Sequence, residues 1–111
     1  MAISVDEATA IAKHALSADQ LERSAIYLLR PTIHFGPYVV QGPQSIAIHQ
    51  PSYLLFVDLS PGTNWIHPGR YLVIAEANGN TETLVAQYPP TKGTTELLFH
   101  GSSVEPWMLL S

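Results

Sequence analysis

Two stretches of this chain are apolar at almost every position, and they constrain its fold more than any other feature. They span residues 52–59 and 70–76. A strand with one face in water alternates apolar and polar residues, so a strand-length run without alternation indicates a central, buried strand. We therefore expect two central strands of one sheet, with the turn-forming pair Pro61-Gly62 following the first of them as a type II turn.

The pair Asn78-Gly79 predicts a tight hairpin directly after the second run. Both residue types tolerate positive φ, as a type I′ turn requires, so the hairpin would join residues 70–76 to 81–88. Tyr88 is followed by two prolines, and proline cannot donate to a strand ladder. The second strand of the hairpin should therefore end there.

The N-terminus has the pattern of a capped amphipathic helix. Ser4 and Glu7 have the spacing of a capping box, in which the two side chains satisfy free backbone amides at a helix start. Apolar residues then recur at helical spacing and predict a helix over about 4–17. These residues are Val5, Ala8, Ile11, Ala12, Ala15 and Leu16.

Residues 21–30 fit either a helix or a strand. Asp19 and Glu22 could cap a helix, whereas Ile26 and Tyr27 prefer a pleated environment. We favour a strand at about 24–30, closed by the proline at position 31.

The segment between this strand and the first apolar run is rich in Pro and Gly. Residues 31–43 predict a loop, in which 38–40 could pair briefly. Residues 45–49 alternate in polarity, which places Ile46 and Ile48 inward.

The C-terminal part of the chain is too apolar to be free in solution. Residues 94–100 and 104–110 could add an edge strand, and we expect the tail to dock on this domain or on a partner. Together the elements predict a single α+β domain covering residues 1–111, with an N-terminal helix packed on a four- or five-stranded antiparallel sheet.

The charge of the chain argues against two classes of partner. The formal net charge is −4 and only 13% of residues are charged. Binding to nucleic acid needs clustered Lys and Arg, and here the basic residues are scattered, so we expect neither a nucleic-acid nor a membrane partner. A surface with few charges favours a protein partner or self-association.

Cysteine usage and the N-terminus bear on the compartment. The chain has no cysteine, which leaves no disulfide or thiolate chemistry. The N-terminus lacks a signal-peptide pattern and no stretch has the length of a membrane span. We expect a cytoplasmic protein, or a secreted one if a leader has been removed.

Asp58 and His67 are the best acid–base candidates. Asp58 ends the first central run and His67 precedes the second, so pairing of the two runs could bring the side chains together as a general base. The alternative is structural, with Asp58 accepting hydrogen bonds from turn amides and His67 capping a strand end. We favour the structural role.

The histidines do not have the spacing of metal ligands on one helix turn. They are His14, His34, His49, His67 and His100. The sequence therefore predicts no metal and no cofactor.

The same loop carries a candidate binding patch made of Asn64, Trp65, Arg70 and Tyr71. An arginine stacks on aromatic faces and pairs with carboxylates, so Trp65, Arg70 and Tyr71 could bind a partner. In the structural alternative, which we favour, Trp65 and Tyr71 plug the open end of the sheet and Arg70 neutralises Asp58 or Glu76.

Two segments together resemble PepSY-like and cystatin-like small domains. They are the helix Ser-Val-Asp-Glu-Ala-Thr-Ala-Ile-Ala-Lys at residues 4–13, and the pieces Phe-Val-Asp at 56–58 and Asn-Trp-Ile-His-Pro-Gly-Arg-Tyr at 64–71. Such domains occur as peptidase propeptides or inhibitor-like modules. The resemblance implies a helix lying on a sheet and a binding function, and it assigns no catalytic residue.

Three functions remain open at this point, and the third is a bare structural subunit of a larger assembly. The first is a non-enzymatic protein-interaction domain, inhibitor-like or propeptide-like, that uses the 59–70 loop, to which the 31–43 loop and the apolar tail could contribute. The second is a small cyclase- or isomerase-type enzyme in which Asp58 or His67 moves a proton inside an apolar pocket. A deep pocket with Asp58 or His67 at its floor would favour the enzyme, and a filled core would favour the binder.

Overall fold

The computed structural model describes residues 2–39, 45–62, 69–86, 88–90 and 94–110. In chain order, the elements are α1 (Val5–His14), α2 (Ala18–Arg23), β1 (Ala25–Leu29), β2 (Tyr38–Val39), β3 (Ser45–Ile46), β4 (Ser52–Asp58), β5 (Gly69–Ala75), β6 (Thr81–Ala86), β7 (Thr95–His100) and a 3₁₀ turn (Pro106–Met108). Five strands form one antiparallel sheet in the order β6-β5-β4-β1-β7, and β2 pairs with β3 in a separate two-stranded sheet. The predicted α+β fold, with an N-terminal helix on an antiparallel sheet, is confirmed.

The first helix begins where its sequence predicts. The backbone N–H of Glu7 donates to the Ser4 hydroxyl at 3.1 Å, and the Ser4 N–H donates to the Glu7 carboxylate at 3.0 Å. This is the predicted capping box. The helix ends at His14, before the predicted position 17, because Ser17 begins a second helix with a capping box of its own, formed with Gln20.

The ambiguous segment contains both predicted structures in succession. Residues 18–23 form α2, capped by Ser17 instead of the Asp19 that the sequence offered. The favoured strand follows as β1, with all five of its residues buried. A single short helix turn thus leads directly into a central strand.

The two apolar runs form neighbouring central strands, as predicted. All seven residues of β4 are buried, and β4 pairs in antiparallel register with β1 on one side and β5 on the other. Alternate residues of these strands belong to two separate hydrophobic clusters, one on each face of the sheet. Because both faces are covered, the molecule has three layers.

The two covering layers differ in kind. On one face, Ala8 and Ala12 of α1 belong to the same buried cluster as Leu55 and Leu72 of the sheet. The opposite face is covered by Ile46 and Ile48, which confirms their inward placement, and by the ends of β2 and of the C-terminal tail.

The β5–β6 hairpin is present, but its turn is not the predicted type I′ turn. A type I′ turn needs positive φ at both central residues. Gly79 has φ +77°, but no described residue other than glycine has positive φ, so Asn78 does not have the φ that this turn requires. The loop is longer: Ala75 N–H donates to the Asn80 carbonyl at 2.8 Å across it. Asn78 instead uses its side chain, which accepts from the Asn80 N–H at 2.9 Å, a local bond typical of turn asparagines.

The C-terminal segment docks on this domain. Strand β7 pairs with β1 at the edge of the sheet, with an irregularity between Ile26 and Tyr27, and confirms the predicted edge strand. The tail then continues to the face that carries Ile46 and Ile48. In the described part of the chain, no helix combines the length and apolar character needed to cross a membrane.

Candidate functional site

Three of the predicted site residues lie outside the described residues. They are Asn64, Trp65 and His67. Their proposed roles, including the acid–base pairing of His67 with Asp58, stay predictions. Asp58, Arg70 and Tyr71 can be placed.

Asp58 is the last residue of β4, and its side chain is almost inaccessible, with 1% of its surface exposed. One carboxylate oxygen accepts a 3.0 Å hydrogen bond from the backbone N–H of Ser60. This contact is the turn-amide bond expected for a structural role. A buried carboxylate needs such donors because charge is costly to remove from water.

The residues beside Asp58 in the sheet are small. Ala25 of β1 and Gly69 of β5 are its register partners. The space over Gly69 is filled by the ring of Phe56, since a Cβ there would lie 2.7 Å from Phe56 Cε1. Glycine is therefore required at this position by close packing.

Arg70 and Tyr71 are adjacent in β5, and the period of a strand sends them to opposite faces. Tyr71 is fully buried, and its hydroxyl donates to the Tyr88 carbonyl at 3.1 Å. Burial raises the pKa of Tyr71 far above its ordinary value, with a further contribution from Tyr38. Arg70 is half-buried opposite Val57, so the structure does not bring the guanidinium and the Tyr71 ring together on one surface.

The rings of Tyr27, Phe56 and Tyr71, here called the aromatic floor, form the middle of one face. The centroids of Tyr27 and Phe56 are 6.5 Å apart, and those of Phe56 and Tyr71 are 5.0 Å apart. Offset and tilted contacts at such distances stabilise aromatic clusters. All three rings are buried, and the partly buried tail residues Leu109 and Leu110 pack on the cluster to which the rings belong.

Sequence reasoning did not find the contact between the tail and the turn after β4. A Cβ on Gly62 would lie 2.8 Å from Met108 Cγ and 3.0 Å from Trp107 Cζ3, so both side chains pack directly over this glycine. Gly62 has φ +83°, as the third residue of the predicted type II turn requires. The apolar composition of the tail indicated that it would dock on the protein, but the sequence did not indicate that it would dock on the turn at Gly62.

Trp107 remains 67% exposed despite this packing. Its indole N–H donates to the Glu105 carboxylate at 2.8 Å, which holds the ring at the surface. The next residue, Met108, lines an open groove of about 310 Å³. We call residues 59–62 and 103–108 the turn–tail surface. The groove is lined by Arg23, Leu59, Ser60, Pro61, Ser103, Val104 and Met108.

Within the described ranges, no group of three or more His, Asp or Glu side chains is placed to hold a metal ion. Two histidines have local partners there. A ring nitrogen of His34 lies 2.9 Å from the Leu29 carbonyl oxygen, and one of His100 lies 3.0 Å from that of Gly101. Both are ordinary hydrogen-bonding roles.

Comparisons with protein-family models, with curated proteins and with solved structures found no match to this chain.

Proposed function

We propose that this chain is a non-enzymatic protein-interaction domain and that it binds its partner through the turn–tail surface. The observation that carries this proposal is the exposure of Trp107 next to Met108, a residue that lines an open groove. Tryptophan is among the residues that contribute most to binding when a partner covers them. An exposed indole fixed in orientation is therefore a good anchor for a contact.

The fixed orientation matters because binding costs less when the contact residues are already ordered. Glu105 holds the indole N–H, and Gly62 supports one edge of the ring at close range. The ring can thus enter a pocket on a partner without first losing much rotational freedom.

The open groove offers mainly apolar walls with one cation at its border. Leu59, Pro61 and Met108 supply apolar surface, and Arg23 supplies the charge. The Arg23 guanidinium is held 2.9 Å from the Asp19 carboxylate, and both side chains are exposed. This combination of an apolar centre and a polar border is typical of protein interfaces.

The partner class that fits best is another protein, or a second copy of this chain. The inhibitor-like or propeptide-like mode implied by the resemblance to PepSY-like and cystatin-like domains is part of this proposal. It is supported by the helix-on-sheet architecture.

The experiment is affinity capture from the native extract followed by quantitative mass spectrometry. We would compare the wild type with Trp107→Ala and, as a matched control, with Phe35→Ala. Phe35 is similarly exposed, at 71%, and lies outside the turn–tail surface, so this control also tests whether the 31–43 loop contributes to binding. We expect one set of proteins to be lost with Trp107→Ala and retained with Phe35→Ala. Identical sets from all three would contradict the proposal.

A second candidate is the cyclase- or isomerase-type enzyme with Asp58 and His67 as its acid–base pair. The observation that favours it is the near-complete burial of the Asp58 carboxylate, because buried acidic groups are enriched at functional sites. Asp58→Asn separates the two candidates. If Asp58 is structural, this change should lower the free energy of unfolding of the protein by about 1–3 kcal/mol. If Asp58 is a catalytic carboxylate held at a cost to stability, the change should leave the free energy of unfolding unchanged or raise it.

A further inference from the structure

The C-terminal segment is held firmly as far as Val104. Gly101 lies so close to the carbonyl groups of Leu21 and Glu22, at the end of α2, that no side chain would fit there. Its N–H donates to the Ser24 carbonyl at 2.9 Å, and the Ser103 N–H donates to the Glu22 carbonyl at 3.0 Å. Val104 itself is buried.

Beyond Val104 the tail is held mainly by side-chain packing, including Trp107 and Met108 over Gly62, and the described backbone hydrogen bonds to the rest of the fold are fewer. The N–H groups of Met108 and Leu109 donate to carbonyls within the tail itself, at 2.9 and 3.2 Å. Among the hydrogen bonds described for residues 105–110, one reaches the sheet: the Leu110 N–H donates to the Tyr27 hydroxyl at 2.9 Å. A segment with few bonds to the rest of the fold opens more readily than the elements around it.

The surface beneath this segment is apolar and aromatic. Leu109 and Leu110 are half-buried and pack on the cluster that contains the aromatic floor. Tyr27, at the point of the hydrogen bond, belongs to β1 in the interior of the sheet. The tail therefore covers a surface built from central strands, which stays in place when the tail moves.

We propose that the surface beneath Leu109 and Leu110, at the Tyr27 end of the aromatic floor, is a binding site for an extended apolar peptide segment, and that the C-terminal tail of the chain occupies it as a displaceable strap. This inference goes beyond the proposed function and does not depend on Trp107 binding a partner.

The contacts of the tail define the ligand. It needs two adjacent side chains of leucine size for the apolar surface, and a backbone N–H that can donate to the Tyr27 hydroxyl. Burial raises the pKa of Tyr27, and the nearby Asp58 carboxylate raises it further, against a lowering by the Leu110 hydrogen bond. The phenol stays neutral, and the negative charge of Asp58 disfavours an acidic residue in the ligand.

The test uses the full chain and a fluorescein-labelled peptide of residues 104–111, with binding followed by anisotropy. In the wild type the attached tail competes at an effective concentration of the order of millimolar. The full-length variant Leu109→Ser/Leu110→Ser loosens that competitor, and we expect it to bind the peptide at least about tenfold more tightly than the wild type.

Three further arms test how the peptide is recognised. In the double-serine background, Tyr27→Phe should weaken binding several-fold, because the acceptor for the peptide N–H is lost. Tyr53→Phe is the matched control, since the Tyr53 hydroxyl bonds to Ile3 on the other face, and it should leave the affinity unchanged. A peptide with Leu110→Glu should not bind. A folded double-serine variant with no gain in affinity, or equal effects of the two Tyr→Phe changes, overturns the proposal.

If the double-serine variant does not fold, hydrogen exchange on the wild type tests whether the tail is displaceable. We expect the Leu110 amide to exchange by local opening, at least about a hundredfold faster than the amides of β1 and with little dependence on denaturant. Exchange of Leu110 only through global unfolding would show that the strap is not displaceable, and would overturn the proposal.

Discussion

The backbone N–H of Leu110 donates a 2.9 Å hydrogen bond to the hydroxyl of Tyr27, which precedes it by 83 positions. On the other face of the sheet, the hydroxyl of Tyr53 donates at 2.7 Å to the carbonyl of Ile3. Each end of the chain is thus tied by one tyrosine to a different face. The contribution of each of these two hydrogen bonds to the free energy of unfolding can therefore be measured separately.

Tyr27→Phe and Tyr53→Phe should each lower the free energy of unfolding by about 0.5–1.5 kcal/mol, because each removes one hydrogen bond between distant parts of the chain. Urea denaturation measures this loss. Only Tyr27→Phe should speed hydrogen exchange at Leu110. If both variants affect the Leu110 amide equally, the two ends of the chain are not independently attached.

Gly62→Ala should loosen the turn–tail surface. Both Gly62, at φ +83°, and Gly36, at φ +93°, have backbones that L side chains rarely adopt, so alanine at either site carries a similar backbone cost of about 1–2 kcal/mol. A Cβ at Gly36 meets nothing within 4 Å, whereas one at Gly62 would meet Met108 and Trp107.

The difference between the two variants therefore isolates the contact with the tail. We expect Gly62→Ala to cost about 1 kcal/mol more than Gly36→Ala in urea denaturation, and to weaken partner capture, which Gly36→Ala should not. Equal stability and equal capture would show that the tail does not rest on this turn.

Gly69→Ala should destabilise the core beneath Asp58. The new methyl group would lie 2.7 Å from Phe56 Cε1 and 3.2 Å from the Val57 carbonyl oxygen, and overpacking of this kind costs about 1–3 kcal/mol. The cost should shrink when Gly69→Ala is made in a Phe56→Leu background, where the ring is absent. A double-mutant cycle without coupling would mean that the ring does not occupy the space over Gly69.

The buried tyrosines predict a loss of stability in alkali. Burial is the main reason that the pKa values of Tyr27 and Tyr71 lie above the ordinary 10.0. The unfolded chain releases these protons near pH 10 while the folded chain still holds them, so the stabilisation is fully present below pH 10 and is lost as the pH rises through the folded-state values.

The contribution of these tyrosines to the free energy of unfolding should therefore be constant below about pH 10 and then fall, by up to ~1.4 kcal/mol per pH unit for each tyrosine. Urea denaturation over this range measures the slope. Tyr71→Phe should reduce it, because one titrating group is removed. An unchanged slope in that variant would show that Tyr71 does not contribute.

The parts of the fold that could be predicted from sequence are those determined by interactions between residues close in the chain or by the pattern of apolar residues. The Ser4 capping box lies within four residues, and the two central runs need only their composition and length. The turn at Asn78 was mispredicted because its side chain bonds to the Asn80 N–H and lets the backbone avoid positive φ. Helix α2 was uncertain because none of its residues is buried, which leaves no apolar stripe to detect.

The candidate site was less accessible to sequence reasoning because its contacts join distant positions. The apolar tail was expected to dock, and Asp58 was expected to accept a turn amide, which it does. Nothing in the sequence indicated that Trp107 would lie over Gly62, or that Leu110 would reach Tyr27. Such contacts depend on how the whole chain packs, and local patterns do not encode them.

The central claim is that Trp107 anchors a protein partner, and the affinity of a captured protein for purified variants tests it most directly. We would measure the dissociation constant by isothermal titration calorimetry for the wild type, Trp107→Ala and Phe35→Ala. A binding anchor contributes about 2 kcal/mol or more, so Trp107→Ala should weaken binding at least about 30-fold. Phe35→Ala should stay within about twofold of the wild type. An unchanged dissociation constant for a folded Trp107→Ala would contradict the account.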